Sequence, residues 1–119
     1  MAPLPADLLP LPAHDFQVLL VLTEGPRHAY GLAQAVESAA AAGVRLELGS
    51  LYRILARLSA AGVIAEAAGP PPGDAREARR RYYRLTAFGR CVAEAETARL
   101  QAVVRWARRR QLATGRTRP

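Results

Sequence analysis

Residues 48–62 of the sequence read LGSLYRILARLSAAG. The side chains of this stretch separate into two faces at helical period, which is typical of an amphipathic helix. The large apolar side chains share one face: Leu51, Ile54, Leu55 and Leu58. Three polar side chains share the opposite face, at positions i, i+3 and i+7: Ser50, Arg53 and Arg57. The stretch therefore predicts a short helix that packs by its apolar face and presents two arginines outward.

The outward face has the chemistry of a nucleic-acid recognition helix. Guanidinium groups match phosphate oxygens and the major-groove edge of guanine. Taken alone, however, the same pattern fits an ordinary amphipathic surface helix with solvated charges. The sequence before and after this stretch is needed to distinguish the two interpretations.

Composition narrows the function classes. The chain has 119 residues and a formal net charge of +7, which suits one compact domain with a polyanionic partner, either nucleic acid or an anionic membrane surface. The single cysteine, Cys91, excludes an intramolecular disulfide. No run is long and apolar enough for a spanning helix, and residues 1–12 lack the features of a signal peptide. We expect a soluble cytoplasmic protein.

The first part of the chain predicts two helices after a flexible arm. Residues 1–12 are proline-rich, and a buried helix follows from Ala13, with Asp15 accepting hydrogen bonds from first-turn amides. Glu24-Gly25-Pro26 ends it. A second helix is predicted from Arg27 to about Ala42, followed by an extended piece at 44–46. The predicted inner stripe of this second helix is Tyr30, Ala33, Val36 and Ala40, and Gly43 is predicted to end the helix.

After the 48–62 helix, the pattern predicts a basic β-hairpin and a long helix. Residues 63–68 and 81–85 are strand-like, and the segment 69–74, rich in proline and glycine, forms the tip. Thr86 is a good N-cap for a helix from about Ala87 to Leu112, and residues 113–119 form a flexible tail. Tyr82 and Tyr83 are expected to pack within the protein rather than stack on bases.

The last helix carries an apolar stripe that has no predicted partner within the chain. It consists of Ala93, Thr97, Leu100, Val104 and Ala107, widened by Val103. Such a stripe predicts a second copy of the chain, with Leu100, Val103, Val104 and Ala107 at the dimer interface. Cys91 is expected to be a small buried residue on this helix. Trp106 is expected to lie in the dimer interface or to be partly exposed, and the alternative is that it contacts an effector.

The order of elements predicts a mainly α protein with a small β-hairpin. Residues 13–85 form a winged helix-turn-helix DNA-binding domain, and residues 86–112 form a C-terminal dimerisation helix. In this arrangement one helix enters the major groove, and the hairpin, or wing, touches backbone or minor groove beside it. The wing arginines Arg76, Arg79, Arg80 and Arg81 are expected to contact the DNA backbone.

Five sequence blocks resemble the PadR family of bacterial transcriptional regulators. They are HAYGL at 28–32, LGSLY at 48–52, LARL at 55–58, GVI at 62–64 and RYYRLTAFG at 81–89. The resemblance covers about residues 16–92 and implies a homodimeric repressor that binds an inverted repeat. It implies that Ser50, Tyr52, Arg53 and Arg57 meet DNA, and that Tyr30 supports or touches the backbone. It also implies that a small phenolic or drug-like effector releases the DNA in several members.

The chain departs from the family pattern in three places, and because Arg53 adds a charge that faces DNA, the operator sequence cannot be carried over. The family often has glycine where Ala29 stands and proline or a small residue where Arg53 stands, and it commonly has Ser-Pro in place of Glu47-Leu48. The short C-terminal region matches the subgroup with one helix after the wing, so no large effector domain is expected.

Other functions find little support in the residues. His14 and His28 have no acidic or cysteine companions at ligand spacing, so no metal site is expected. No nucleophile is paired with a base, and no glycine loop cradles a phosphate, so we expect a non-enzyme without a cofactor. A winged helix protein-interaction module stays open as the alternative. A membrane-surface protein that uses its basic last helix is disfavoured, because the apolar stripe of that helix is thin and rich in alanine, and we expect no membrane partner.

Overall fold

The computed structural model describes residues 3–39, 46–69, 73 and 80–112. A short 3-10 helix, Pro5–Leu8, precedes helix α1, Ala13–Leu22. Strand β1, Arg27–His28, leads directly into helix α2, Ala29–Ala39, and helix α3 spans Leu48–Ala60. Strands β2, Ile64–Ala67, and β3, Tyr82–Leu85, are followed by the long helix α4, Ala87–Arg109. The mainly α architecture with a small sheet is confirmed, although α4 ends three residues before the predicted Leu112.

The hairpin predicted from the two strand-like segments is present. Strands β2 and β3 pair antiparallel, with Ile64 opposite Leu85 and Ala67 opposite Tyr82. Tyr83 is buried and packs in the core, as expected for a strand tyrosine. Most of the predicted tip, and the following segment with Arg76 and Arg79, lie outside the described residues.

Residues 27 and 28 form a third strand, whereas the sequence had suggested that they begin the second helix. Arg27 lies opposite Tyr83 and His28 opposite Tyr82, so β3 is the central strand in the order β1-β3-β2. The open edge of β3 supplies backbone partners that a first helical turn does not have. Helix α2 then begins at Ala29, and the backbone N–H of Gly31 donates to Nδ1 of His28 at 3.0 Å, in the manner of an N-cap contact.

Helix α2 packs through a stripe that includes the predicted Val36 and Ala33, but the prediction is wrong for Tyr30. Ala29, Leu32 and Val36 are buried, whereas Tyr30 is 55% exposed. Tyr30 is one position from Ala29 and therefore about 100° around the helix, so it points away from the core. Ala33 is partly buried against the core. The predicted positions Ala40, Gly43 and 44–45 lie outside the described residues.

Helix α3 packs as its pattern predicts. Its four apolar side chains are buried in one core with residues of α1, α2, β2 and α4, including Leu19, Leu32, Ile64 and Val92. Gly62 ends the helix with a φ of +77°, a conformation that favours glycine. The N–H groups of Gly62 and Val63 donate to the carbonyls of Ser59 and Leu58, both at 3.1 Å, which completes a Schellman motif.

Thr86 joins the end of α3 to the start of α4. Its hydroxyl accepts from the N–H of Gly89 at 2.9 Å, so the predicted N-cap is confirmed. The same hydroxyl donates to the carbonyl of Gly62 at 2.7 Å. The long helix is therefore fixed to the turn that follows the recognition candidate.

The N-terminal arm is docked on α4, in contrast to the flexible segment expected at residues 1–12. Leu8, Leu9 and Leu11 pack against the core, and the N–H of Leu11 donates to Oε2 of Glu96 at 3.0 Å. Glu96 is only 1% exposed. The hydrogen bonds from Arg99 (Nη2 to Oε2, 3.0 Å) lower the pKa of Glu96, and the Leu11 N–H adds to this against the opposing effect of burial.

The expectation that the whole α4 stripe lacks a partner within the chain is therefore wrong for its first half. Ala93 is buried, and the arm and α1 contact this helix. The stripe becomes exposed beyond Glu96, where Val103 and Val104 face outward and Leu100 and Ala107 are partly buried. None of the described helices combines the length and apolar character that crossing a bilayer requires.

Candidate nucleic-acid interface

The outer face of α3 presents an aromatic and a basic side chain in its N-terminal half. Tyr52 is 55% exposed, and Arg53 is also exposed. Arg53 Nη2 donates to the hydroxyl of Ser50 at 3.3 Å, one helical turn earlier. A hydroxyl is a weak partner for a guanidinium group, so Arg53 keeps nearly its full capacity to donate to another acceptor.

Four of the predicted DNA-binding residues line one cleft. Tyr30 at the start of α2, Tyr52 on α3, and Arg80 and Arg81 beside β3 surround a volume of about 420 Å³. The buried Tyr83 forms part of its wall. Two phenol hydroxyls and two guanidinium groups are suited to hydrogen bonding with phosphate oxygens.

His28 also lines this cleft, although the sequence pattern had given it no role. Its Nε2 atom lies 3.2 Å from Nη1 of Arg80, and its ring meets Tyr82 edge to face at 5.3 Å. Sequence reasoning missed His28 because it placed this residue in a helix, and because the contact with Arg80 spans 52 positions. The ring contact with Tyr82 and the pairing of β1 with β3 place the wing strand beside the start of α2.

The two wing arginines differ in how they are held. Arg80 is partly buried, whereas the side chain of Arg81 is 77% exposed and lies 3.6 Å from Glu66. An exposed pair at this distance is strongly screened, so Glu66 competes little with another anion for Arg81. Arg76 and Arg79 lie outside the described residues.

Arg57 is held differently from Arg53, although both lie on the same side of α3. Its Nη2 atom donates to both carboxylate oxygens of Asp15, at 2.7 and 2.8 Å, and its Nε donates to Oδ2 at 3.3 Å. Asp15 is buried. The expectation that Asp15 accepts from first-turn amides is wrong, because its carboxylate faces α3 and pairs with Arg57.

The exposed half of α4 forms a second apolar surface. Trp106 is 60% exposed and lines a shallow cleft of about 320 Å³ with Val103, Ala107 and Leu112. Leu100 and Val104 line a separate groove of about 550 Å³ beside Phe16 of α1. Cys91, expected to be buried, is exposed at the other end of the helix. Large apolar side chains concentrated on one exposed helix face are typical of an interaction surface.

Comparison with known proteins identifies the family. The model of the "Transcriptional regulator PadR-like family" matches residues 18–95. The chain belongs to the PadR-like family. The resemblance inferred from the five sequence blocks is thereby confirmed, and the protein is a member of a family of transcriptional regulators with a winged helix fold.

Solved structures agree with this assignment. A PadR family transcription regulator from Clostridium difficile has a TM-score of 0.70 at 19% identity, covering 82% of this chain and 97% of that one. A transcriptional regulator from Clostridium thermocellum has a TM-score of 0.68 at 23% identity, covering 81% and 87%. A PadR family regulator from Eggerthella lenta reaches 27% identity with a TM-score of 0.59 and 82% of each chain covered. No curated protein sequence matches the chain.

Proposed function

We propose that this PadR-like protein binds double-stranded DNA through the outer face of α3 and the adjoining wing, and that it represses transcription. The observation that carries the proposal is the single cleft that Tyr30, Tyr52, Arg80 and Arg81 share, beside the exposed Arg53. A helix fits a major groove about 12 Å wide, and basic groups beside it reach the flanking phosphates. Ser50, Arg57, Arg76 and Arg79 complete the proposed interface.

The charge of the chain supports the same proposal. A net charge of +7 attracts DNA over a distance of roughly one Debye length, about 8 Å at physiological salt. Each neutralised phosphate releases counterions, so affinity falls steeply as salt rises. A protein-interaction module with an apolar interface would show a much weaker dependence on salt.

The proposal includes a homodimer that pairs through the exposed half of α4. Leu100, Val103, Val104 and Ala107 form the proposed interface, and their apolar area would leave water on association. A two-fold dimer with both α3 helices on one side would suit an inverted-repeat operator. Trp106 borders this region and is the proposed contact for a small apolar or aromatic effector.

The DNA proposal is tested by fluorescence anisotropy with a labelled duplex from the region upstream of the protein's own gene. The Tyr52→Ala/Arg53→Ala variant is expected to bind at least tenfold more weakly, since a good base contact contributes about 1–3 kcal/mol. Arg90→Ala removes one exposed positive charge from α4 and serves as the control, expected within about twofold of the wild type. If the double variant binds as tightly as Arg90→Ala, α3 is not the recognition helix.

The dimer proposal is tested by light scattering at micromolar protein concentration. Val103→Glu/Val104→Glu places two charges in the proposed interface and is expected to give monomers, because buried unpaired charges are costly. Ala102→Glu adds a charge to the opposite side of α4 and is expected to stay dimeric. A monomeric wild type, or a dimeric Val103→Glu/Val104→Glu variant, contradicts the proposal.

A further inference from the structure

The contact between Asp15 and Arg57 joins the first helix to the proposed recognition helix. The two residues are 42 positions apart, and the Nε and Nη2 edge of the guanidinium faces the carboxylate. The carboxylate side chain is 4% exposed, whereas the arginine side chain is 56% exposed. The pair thus has one buried partner, fixed in the core, and one partner that reaches solvent.

One edge of Arg57 remains available. Among the described residues, no acceptor contacts its Nη1 atom, which carries two N–H donors. The Nε–Nη2 fork, one of the two edges that arginine uses for bidentate recognition, is already occupied by Asp15. Arg53, by contrast, contacts the hydroxyl of Ser50 as its one hydrogen-bond partner in the described part of the chain. The two arginines are therefore suited to different tasks.

We infer that Asp15 is a positioning residue that holds Arg57 in place so that its Nη1 atom donates to one DNA phosphate, while Arg53 reads the bases. This inference rests on the proposed DNA-binding function and assigns roles within the same interface. A charged hydrogen bond to a buried carboxylate fixes the long arginine side chain before DNA arrives. Less side-chain entropy is then lost on binding. Arg57 contributes to affinity on any sequence, and it does not select a base.

The direction in which DNA affinity changes when Asp15 is replaced distinguishes positioning of Arg57 from an effect of net charge alone. Asp15→Asn raises the formal net charge from +7 to +8, so long-range attraction alone would strengthen DNA binding. If Asp15 positions Arg57, the same substitution weakens binding, because the freed guanidinium must be ordered when DNA binds. Glu94→Gln removes an exposed carboxylate from α4 and reports the effect of charge alone.

The experiment measures Kd by anisotropy at several salt concentrations, for an upstream duplex and for an unrelated duplex. Arg57→Ala is expected to weaken both complexes by about the same factor, roughly five- to tenfold near 0.15 M salt, and to reduce the slope of log K against log salt by about 1. Asp15→Asn is expected to lower affinity in the wild type and to have little effect in the Arg57→Ala background. Arg53→Ala is expected to weaken mainly the upstream complex.

Two measurements distinguish a variant that fails to fold from one that folds but no longer positions Arg57. Stoichiometric titration counts the binding-competent protein. The slope of log K against log salt is unchanged when only the folded fraction falls. If Asp15→Asn does not fold, Arg57→Lys decides the question. It keeps the charge without the fork, and it is expected to bind both duplexes more weakly than the wild type.

Three results would overturn the inference while leaving DNA binding intact. They are tighter binding by Asp15→Asn that matches Glu94→Gln, selective loss of the upstream complex in Arg57→Ala, and wild-type affinity in Arg57→Lys. Failure of the wild type to bind either duplex would instead reject the proposed function itself.

Discussion

Gly89 lies where the first turn of α4 meets the start of the wing, and replacing it with alanine perturbs this junction directly. An added Cβ would lie far inside van der Waals contact with the carbonyl oxygen of Val63, and 2.9 Å from Cδ1 of Leu85. The Val63 carbonyl accepts from the N–H of Thr86 at 3.1 Å, so it is held in place by the backbone next to the clash. Relief requires α4 to move away from the wing.

The magnitude follows from two opposing effects. Forcing an extra methyl group into a closely packed site costs about 1–3 kcal/mol or more, and a backbone clash belongs at the upper end. Alanine regains up to about 1 kcal/mol of helix propensity. We therefore expect Gly89→Ala to lower the free energy of unfolding by about 2–3 kcal/mol. In a chain of this size each kcal/mol shifts Tm by roughly 3–5 °C, so Tm should fall by about 10 °C.

Thermal and urea unfolding followed by circular dichroism measures the change at a fixed protein concentration, since the proposed dimerisation would affect apparent stability. Gly49→Ala is the matched control, because Gly49 lies in α3 and an added Cβ there meets no described atom within 4 Å. It is expected to be neutral or stabilising by up to about 1 kcal/mol. A Gly89→Ala protein as stable as Gly49→Ala would refute the close approach of α4 to the wing.

Two further predictions concern α4. Glu96→Gln is expected to lower the free energy of unfolding by about 1–2 kcal/mol at neutral pH. Because the pKa of Glu96 is lowered from 4.5, the contribution of this carboxylate to the free energy of unfolding is fully present above that pH. It is lost as the pH falls through the lower pKa of the folded state. Urea titrations from pH 7 to 3 should therefore show a smaller acid-dependent loss of stability in the variant. Cys91 is exposed and should react with one equivalent of a thiol reagent without denaturant, whereas reaction only after unfolding would show that it is covered.

Much of the fold was predictable because its elements carry strong local patterns. The two faces of α3 repeat over 13 residues, and the N-cap at Thr86 and the C-terminal Gly62 mark element ends by their own backbone chemistry. The hairpin follows from two strand-like segments around a tip rich in proline and glycine. Each of these signals lies within a few neighbouring positions.

The parts that were missed depend on contacts between distant positions. Strand β1 has two residues, too few for an alternating pattern, and forms because β3 offers it an edge. Asp15 and Glu96 look like surface carboxylates in the sequence, yet both are buried because Arg57 and the N-terminal arm cover them. A local pattern contains no information about such partners.

The candidate site was predictable to a similar extent. The pattern placed Arg53 on the exposed face of α3, and the winged helix order predicted that the wing arginines lie beside it. The pattern wrongly placed Tyr30 on the inner stripe of α2, one position from the buried Ala29, and only the family resemblance placed it beside the DNA. It also did not reveal that His28 contacts Arg80.

Site-specific photocrosslinking distinguishes the proposed DNA-binding surface on α3 from the proposed dimer surface on α4. A photoreactive phenylalanine analogue replaces either Tyr52 or Trp106, which are exposed to similar extents on α3 and α4. With the upstream duplex bound, we expect DNA crosslinks from position 52 and protein–protein crosslinks from position 106. DNA crosslinks from position 106 alone, with none from position 52, would contradict this expectation.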